Sequence, residues 1–197
     1  MGMKVGITGP HGSGKTTILN KLKDLQKTEE ILKDYVFLPE MTRVIKDQGF
    51  SINEDGDLST QILILSKHIE NILLYNNVNF IVDRVLIDGY VYTKYLSLQN
   101  KPSSKVPVWL LDYALNLLET YIDRYTYIFY VPSEFEVAKD GVRSTDTYFH
   151  QCICENFESI TNKLIKENRA RERKIIKVTG SLDNRLDIIL RTLKQGG

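Results

Sequence analysis

Short apolar runs alternate along the chain with longer stretches in which apolar residues recur every three or four positions. Met3–Thr8 is the first run, and its character predicts a strand buried on both faces. From Thr16 to Lys27, Ile18, Leu19, Leu22 and Leu25 share one face of a helix. Tyr35–Leu38 predicts a second strand, stopped by Pro39. A short helix over Met41–Asp47 and a polar loop over Gly49–Asp57 follow. Leu58–Tyr75 carries Ile62, Leu65, Ile69, Ile72 and Leu73 at helical spacing, and Val78–Val82 predicts a third strand closed by Asp83-Arg84.

An aromatic-rich helix over Ile87–Leu98 and a proline-containing loop over Asn100–Pro107 come next. A helix over Val108–Arg124 leads to a fourth strand at Thr126–Val131. Ser133–Asp146 is charged, contains Gly141 and has no clean period. Thr147–Asn168 predicts a long helix and Lys174–Thr179 a fifth strand. The turn at Gly180–Asn184 opens a last helix with Leu186, Ile189, Leu190 and Leu193 on its inner side. The alternation, without repeats or low-complexity segments, predicts one α/β domain over residues 1–197. Its parallel sheet should be covered by helices on both faces. Ligands of such sheets bind beyond the carboxyl ends of the strands, where every candidate residue below falls.

With 197 residues, 42% of them hydrophobic, the chain has enough material for one core. A net charge of +1 does not suggest a protein that wraps nucleic acid. Cys152 and Cys154 lack a second pair to complete a zinc site, and reduced cysteines fit a cytoplasmic setting. No charged leader, and no apolar run long enough to cross a bilayer, is present; Met1-Gly2 is followed by Gly6 where an acylation signal has Ser or Thr. The expectation is a soluble, cytoplasmic protein with no membrane partner; oligomeric state is not legible.

Gly9-Pro10-His11-Gly12-Ser13-Gly14-Lys15-Thr16 meets every fixed position of G-x-x-x-x-G-K-[ST], between a predicted strand and a predicted helix. Glycines let backbone N–H groups turn inward around phosphates, and the following helix offers its positive end. Lys15 is expected at the β- and γ-phosphates and Thr16 on Mg²⁺, with Thr17 next in the ATP-binding stretch. His11 occupies a variable position and reads as loop filler rather than catalyst.

Asp83, at the end of the third strand, is placed to face the same Mg²⁺, directly or through water; the structural alternative is a helix N-cap. Arg84 is a candidate for gripping the acceptor or a phosphate. Glu40 and Arg43 follow the second strand one helical turn apart. Glu40 can accept a hydroxyl proton or hold a sugar hydroxyl, and Arg43 can fork onto a phosphate; otherwise they form a surface ion pair. Arg143 lies in a segment, about 133–147, where a lid would cover the phosphates, with Lys139 a weaker second cation and Gly141 a hinge. Gly180-Ser181 opens the turn after the fifth strand, beside the adenine or as a plain helix start capped by Ser181. The Arg169–Lys174 cluster reads as a solvated helix end.

These residues resemble the P-loop kinases of nucleosides and nucleotides, especially the NadR-like, AAA-type group related to the ribosylnicotinamide kinase domain. The likeness rests on the Gly9–Thr16 loop, Pro39-Glu40, Asp83-Arg84 with Asp88 and Tyr92 beyond, and the Asp140–Asp146 segment. It covers nearly the whole chain. The resemblance implies a P-loop NTPase three-layer sandwich with sheet order 2-3-1-4-5 and a lid over ATP. It makes Glu40 an acceptor-site carboxylate or base and Arg84 an acceptor contact. Thymidylate kinases carry a similar Asp-Arg, whereas deoxynucleoside kinases often have Glu-Arg-Ser where this chain has Asp83-Arg84-Val85.

The expected function is ATP- and Mg²⁺-dependent phosphoryl transfer to a nucleoside monophosphate or nucleoside. A kinase of a hydroxyl on a nucleic acid or modified base uses the same groups but needs a basic channel that the composition does not advertise. A GTPase switch needs Asp-x-x-Gly and Asn-Lys-x-Asp; Asp83-Arg84-Val85-Leu86 and Asn162-Lys163-Leu164-Ile165 meet neither.

Overall fold

The computed structural model describes residues 2–99, 106–134, 147–167 and 175–196. Five strands form one parallel sheet: β1 (Lys4–Thr8), β2 (Tyr35–Leu38), β3 (Asn79–Asp83), β4 (Tyr127–Tyr130) and β5 (Ile175–Lys177), in the order β2-β3-β1-β4-β5. Seven α-helices connect or follow them among the described residues. They are α1 (Lys15–Leu25), α2 (Met41–Asp47), α3 (Leu58–Leu74), α4 (Leu86–Leu98), α5 (Val108–Tyr121), α6 (Thr147–Glu167) and α7 (Leu182–Gly196). The order that the resemblance implied is the order found.

Side-chain alternation builds the layers. Phe80 and Val82 of β3, with Ile128 and Tyr130 of β4, enter a core beneath α3, α4, α5 and α6. Their neighbours Ile81 and Phe129 enter the opposite core, against Ile18 and Leu22 of α1 and Ile189 and Leu193 of α7. Strands buried on both faces explain why their sequence reads as continuous apolar runs. Gly6 is required at the sheet centre because a Cβ there would stand 2.2 Å from Val85 Cγ1. That contact lets the chain leave β3 and cross directly above β1.

Element ends differ from expectation by a residue or two, as fraying termini do. The helix expected to reach Arg124 finishes at Tyr121 and tightens into a 3₁₀ turn over Ile122–Arg124. Asp57 caps α3 by accepting from the Thr60 N–H at 2.9 Å. A 3₁₀ turn over Asn53–Asp55 interrupts the loop expected at Gly49–Asp57. The segment expected as a lid lies, from residue 135 to 146, outside the described residues, and so does the basic cluster after α6.

Phe80 is fully buried, with the rings of Tyr75 and Tyr125 edge-on at 6.3 and 6.5 Å. Phe80→Ala is expected to lower stability by about 3–5 kcal/mol. Urea unfolding should show a lower midpoint with an unchanged m-value.

Candidate active site

β1 ends at Thr8 and α1 begins at Lys15, so the loop between them turns the backbone through a tight ring. Gly9 has φ 146°, and a Cβ on it would lie 2.1 Å from the Val131 carbonyl oxygen, so only glycine fits. Gly14, at φ 93°, is the N-cap of α1 and offers no side-chain cap. The first N–H groups of α1 are therefore available to an anion, at the positive end of the helix.

Lys15 is almost fully buried at the loop's rim, where its ammonium donates to the Gly9 and Pro10 carbonyls at 2.7 and 2.6 Å. Burial, reinforced by the Arg84 charge, pulls its pKa down to about 8, against the pull of Asp83, Asp88 and Glu40.

Register places the first carboxylate. Ile7 of β1 pairs with Asp83 of β3, so Asp83 emerges from the sheet beside the start of the loop. Its Oδ2 faces the Thr16 hydroxyl at 3.4 Å. Its Oδ1 is buried and has no hydrogen-bond partner among the described residues. Burial raises the Asp83 pKa, with Lys15 and Arg84 opposing and Glu40 and Asp88 adding. Asp83 belongs to the strand, and Val85 is the N-cap of α4, so the capping alternative for Asp83 does not describe the structure. An under-satisfied carboxylate beside a hydroxyl fits Mg²⁺, which takes one or two protein oxygens and completes its shell with phosphate and water. Among the described residues no group of three or more His, Cys, Asp or Glu forms a self-sufficient metal site.

Arg84 follows with φ 72°, a left-handed backbone that a non-glycine residue rarely adopts. Such a residue costs about 1–3 kcal/mol and persists only where its surroundings over-determine it. Here the Arg84 N–H donates to the Ile7 carbonyl at 2.9 Å, Nε donates to Glu40 at 3.0 Å and Nη1 to Asp88 at 3.3 Å. The guanidinium also lies 5.6 Å from the centre of the Tyr92 ring. Asp88 is anchored in turn, accepting from Thr8 Oγ1 at 2.6 Å and from the Val85 N–H at 2.9 Å.

Glu40 is the N-cap residue of α2. Burial pushes its pKa up, but the charge and hydrogen bond of Arg84, with Arg43 and Lys15 adding, outweigh burial and hold it below the usual carboxylate range. Arg43 pairs with its other oxygen at 3.6 Å and remains mostly exposed. The ion pair expected as the alternative for Glu40 and Arg43 therefore exists, in the mouth of the cavity rather than on an open face.

One cavity of about 430 Å³ gathers these groups. His11, Gly12, Gly14, Lys15, Thr16 and Thr17 form one wall together with Asp83, which meets Thr16, and Glu40, Arg43 and Arg84, joined by their ion pairs, form the other. Its size is in the range of a small-molecule site. His11 does more than fill the loop: its ring stacks on Phe149 at 5.2 Å and its nitrogens meet Tyr92 Oη and His150 Nδ1, each at 3.1 Å. The loop is thereby attached to α4 and to the first turn of α6.

Gly180 and Ser181 reach the loop through a residue that sequence reasoning missed. Arg185 is buried in α7; its Nη1 donates to the Ser13 carbonyl, its Nε to the Gly180 carbonyl and its Nη2 to Glu134, at 2.8, 2.8 and 2.7 Å. Ser181 Oγ accepts from the Asn184 N–H at 3.3 Å, as a helix cap does. Arg143 and Lys139 lie outside the described residues. His68 was also missed. It is buried in α3, lines a small cavity behind Arg84, and among the described residues neither ring nitrogen has a partner.

The parallel order 2-3-1-4-5 and the phosphate-cradling loop define a P-loop protein with the fold of nucleoside and nucleotide kinases. The chain belongs to an AAA domain family, whose pattern it matches over residues 4–185. No curated protein sequence matches it. Among solved structures, a NadR protein in complex with NR superposes with TM-score 0.70 at 16% identity, covering 98% of this chain. The chain spans about half, 51%, of that protein's length. Deoxyadenosine kinase from M. mycoides with bound dATP superposes with TM-score 0.63 at 16% identity, covering 98% of this chain and 100% of the other. Thymidylate kinase from Ehrlichia chaffeensis gives 0.59 at 16% identity, with the same 98% and 100% coverage. Among the described residues no helix is long and apolar enough to cross a membrane.

Burial pushes the His68 pKa down from 6.5 to about 4, with Asp88 opposing and Arg84 adding. The unfolded chain therefore takes up a proton below pH 6.5 that the folded chain refuses until about pH 4. Stability is present above pH 6.5 and falls by about 2–3 kcal/mol through this window. His68→Leu should remove that part of the slope in urea titrations run between pH 7 and 4.

Proposed function

We propose that this chain is a kinase that transfers the γ-phosphoryl group of ATP to a nucleoside or nucleoside monophosphate. The observation that carries this reading is one cavity in which the phosphate loop and Asp83 face Glu40, Arg43 and Arg84. A nucleotide switch needs the first wall only. The second wall, two arginines around an ionised carboxylate, has the chemistry to hold a second, hydroxyl- or phosphate-bearing molecule.

ATP binds with its phosphates against the N–H groups of Gly12–Lys15 and the Lys15 ammonium. Thr16 and Asp83 would hold Mg²⁺, directly or through water, and the ion supplies charge neutralisation at the phosphates. The acceptor oxygen attacks the γ-phosphorus as the bond to the β-phosphate oxygen breaks and ADP leaves. The acceptor's proton, where it has one, passes to Glu40 or to water. Glu40 is a weak base because Arg84 keeps it ionised at low pH. Its stronger contribution is orienting the acceptor hydroxyl, which suits a loose transition state in which positioning outweighs proton abstraction. Arg143, from the segment after β4, is proposed to reach the transferring group, and Gly180-Ser181 to lie beside the adenine. The deoxyadenosine kinase and the thymidylate kinase among the similar structures support an acceptor of nucleoside or nucleotide type.

A coupled ADP-release assay across nucleosides and their monophosphates tests this reading, and no turnover with any acceptor would overturn it. Lys15→Ala should lower kcat by at least about a thousandfold, with an unchanged circular dichroism spectrum. Arg143→Ala should lower kcat far more than ATP affinity, because its contact matures in the transition state.

A further inference from the structure

α7 turns Leu186, Ile189 and Leu193 into the core, and beside them it buries a cation, Arg185, which is 3% exposed. An ion pair alone does not account for this arginine. Nη2 meets the Glu134 carboxylate at 2.7 Å, and Glu134 is itself partly exposed. Nε and Nη1 go instead to two backbone carbonyls, those of Gly180 and Ser13, each at 2.8 Å. A guanidinium is costly to bury unless its donors are met. A helix position that an apolar residue could fill is therefore used to hold two peptide groups.

The Ser13 peptide needs such a hold. Ser13 is closed to solvent, so its carbonyl must find a partner within the protein. The next residue is Gly14, at φ 93°. Without a Cβ, glycine adopts either sign of φ readily, so the Ser13–Gly14 plane can turn over at little steric cost. The peptide bond is trans, and its carbonyl and N–H point in opposite directions. With the Ser13 oxygen bonded to Arg185, the Gly14 N–H is directed away from α7, to the side where Gly12, Gly14 and Lys15 line the large cavity. A turned-over peptide would present a carbonyl to the phosphates in place of a donor.

The guanidinium is itself fixed in direction. Glu134 Oε2 accepts from Nη2 and also from the Gly180 N–H at 2.9 Å, while the Gly180 carbonyl accepts from Nε. Both backbone polar groups of Gly180 are thus closed onto the Arg185–Glu134 pair. Three acceptors around one planar fork set its orientation, which the single point charge of a lysine could not do.

We propose that Arg185 is a positioning residue of the nucleotide site: it locks the Ser13–Gly14 peptide and makes the Gly14 N–H a fixed donor to a bound polyphosphate. The inference rests on the phosphate-binding half of the reading above and deepens it. It requires no acceptor, so it can be tested apart from phosphoryl transfer.

The probe is tripolyphosphate with Mg²⁺, titrated into the isotope-labelled full chain and followed by calorimetry and by amide NMR. In the unaltered chain the Gly14 amide signal should shift on binding. Arg185→Met should weaken binding about tenfold or more, measured on folded protein well below its thermal midpoint. At saturating probe its Gly14 shift should reach less than about half of the original, while the Thr16 shift is regained in full. Arg185→Lys keeps the charge without the fork; it should bind more tightly than Arg185→Met and still show a reduced Gly14 shift, so it decides the matter if Arg185→Met does not fold. An unmoved Gly14 amide in the unaltered chain would overturn the inference. So would binding by Arg185→Met within about twofold of the original. A full Gly14 shift at saturation in either variant would also overturn it, because a residue that supplies only charge or stability behaves that way. The kinase reading fails separately, when tripolyphosphate binds in an Arg185-dependent way but no acceptor releases ADP from ATP.

Discussion

One guanidinium holds the two walls of the cavity at their working separation. Arg84 is bonded to Glu40 on the α2 side, to Asp88 on the α4 side and through its own N–H to Ile7 of β1. Its left-handed backbone would be expensive alone, and these contacts over-determine it. The charges around it are balanced as a group. Lys15 and Arg84 face Glu40, Asp83 and Asp88: the arginine keeps Glu40 ionised and weakens the hold of Lys15 on its proton. A buried cluster of this kind contributes little net stability, because desolvation offsets most of the attraction. Its value is positional, since removing one member leaves the rest unpaired in a low-dielectric interior.

Sheet topology makes the cluster possible. Because β1 lies between β3 and β4, the phosphate loop at its end is flanked on one side by Asp83 and on the other by Val131. The Val131 N–H donates to the Thr8 carbonyl, and the Val131 oxygen is the atom that forbids a side chain at Gly9. The outer strand β2 delivers Glu40 from the far side of β3, so the Glu40 wall lies across β3 from the phosphate loop. The strand order therefore places the phosphate loop and the Glu40 side of the cavity on separate walls. Arg185 completes the frame from α7 by joining the loop to the turn after β5.

The legible parts of this arrangement were those whose physics is local. Gly9–Thr16 declares itself because only glycines tolerate the loop's backbone, and the apolar runs declare strands because both sheet faces are covered. Asp83 and Glu40 were readable as polar residues at strand ends. What escaped was long-range. Nothing near Arg185 in the chain announces its contact with Ser13, and the bond between Thr8 and Asp88 spans the loop, two strands and three helices. His68 escaped for a different reason. A lone histidine in an amphipathic helix resembles any half-polar helix position, and only burial beside a cavity reveals it. Gly89 was the one local signal, a glycine within a strongly apolar helix, where a Cβ would stand 3.5 Å from His68 Cδ2.

Unsatisfied polar atoms need a second criterion before they speak of function. Thr60 Oγ1 and Asn71 Nδ2 are also buried without partners among the described residues, and neither residue lines the two cavities discussed above. They are costs of packing α3. Asp83 Oδ1 and the His68 nitrogens belong to residues on the walls of cavities that share Arg84. Elsewhere this chain satisfies even awkward groups: the buried Lys4 ammonium finds both the carbonyl and the side-chain oxygen of Asn76. A fold that provides for a lysine at the sheet's bottom edge has the means to satisfy a carboxylate or an imidazole at its top. Asp83 Oδ1 and the His68 nitrogens differ from Thr60 Oγ1 and Asn71 Nδ2 in that a cavity meets their residues, and that coincidence is the physical ground for treating those atoms as open to a ligand.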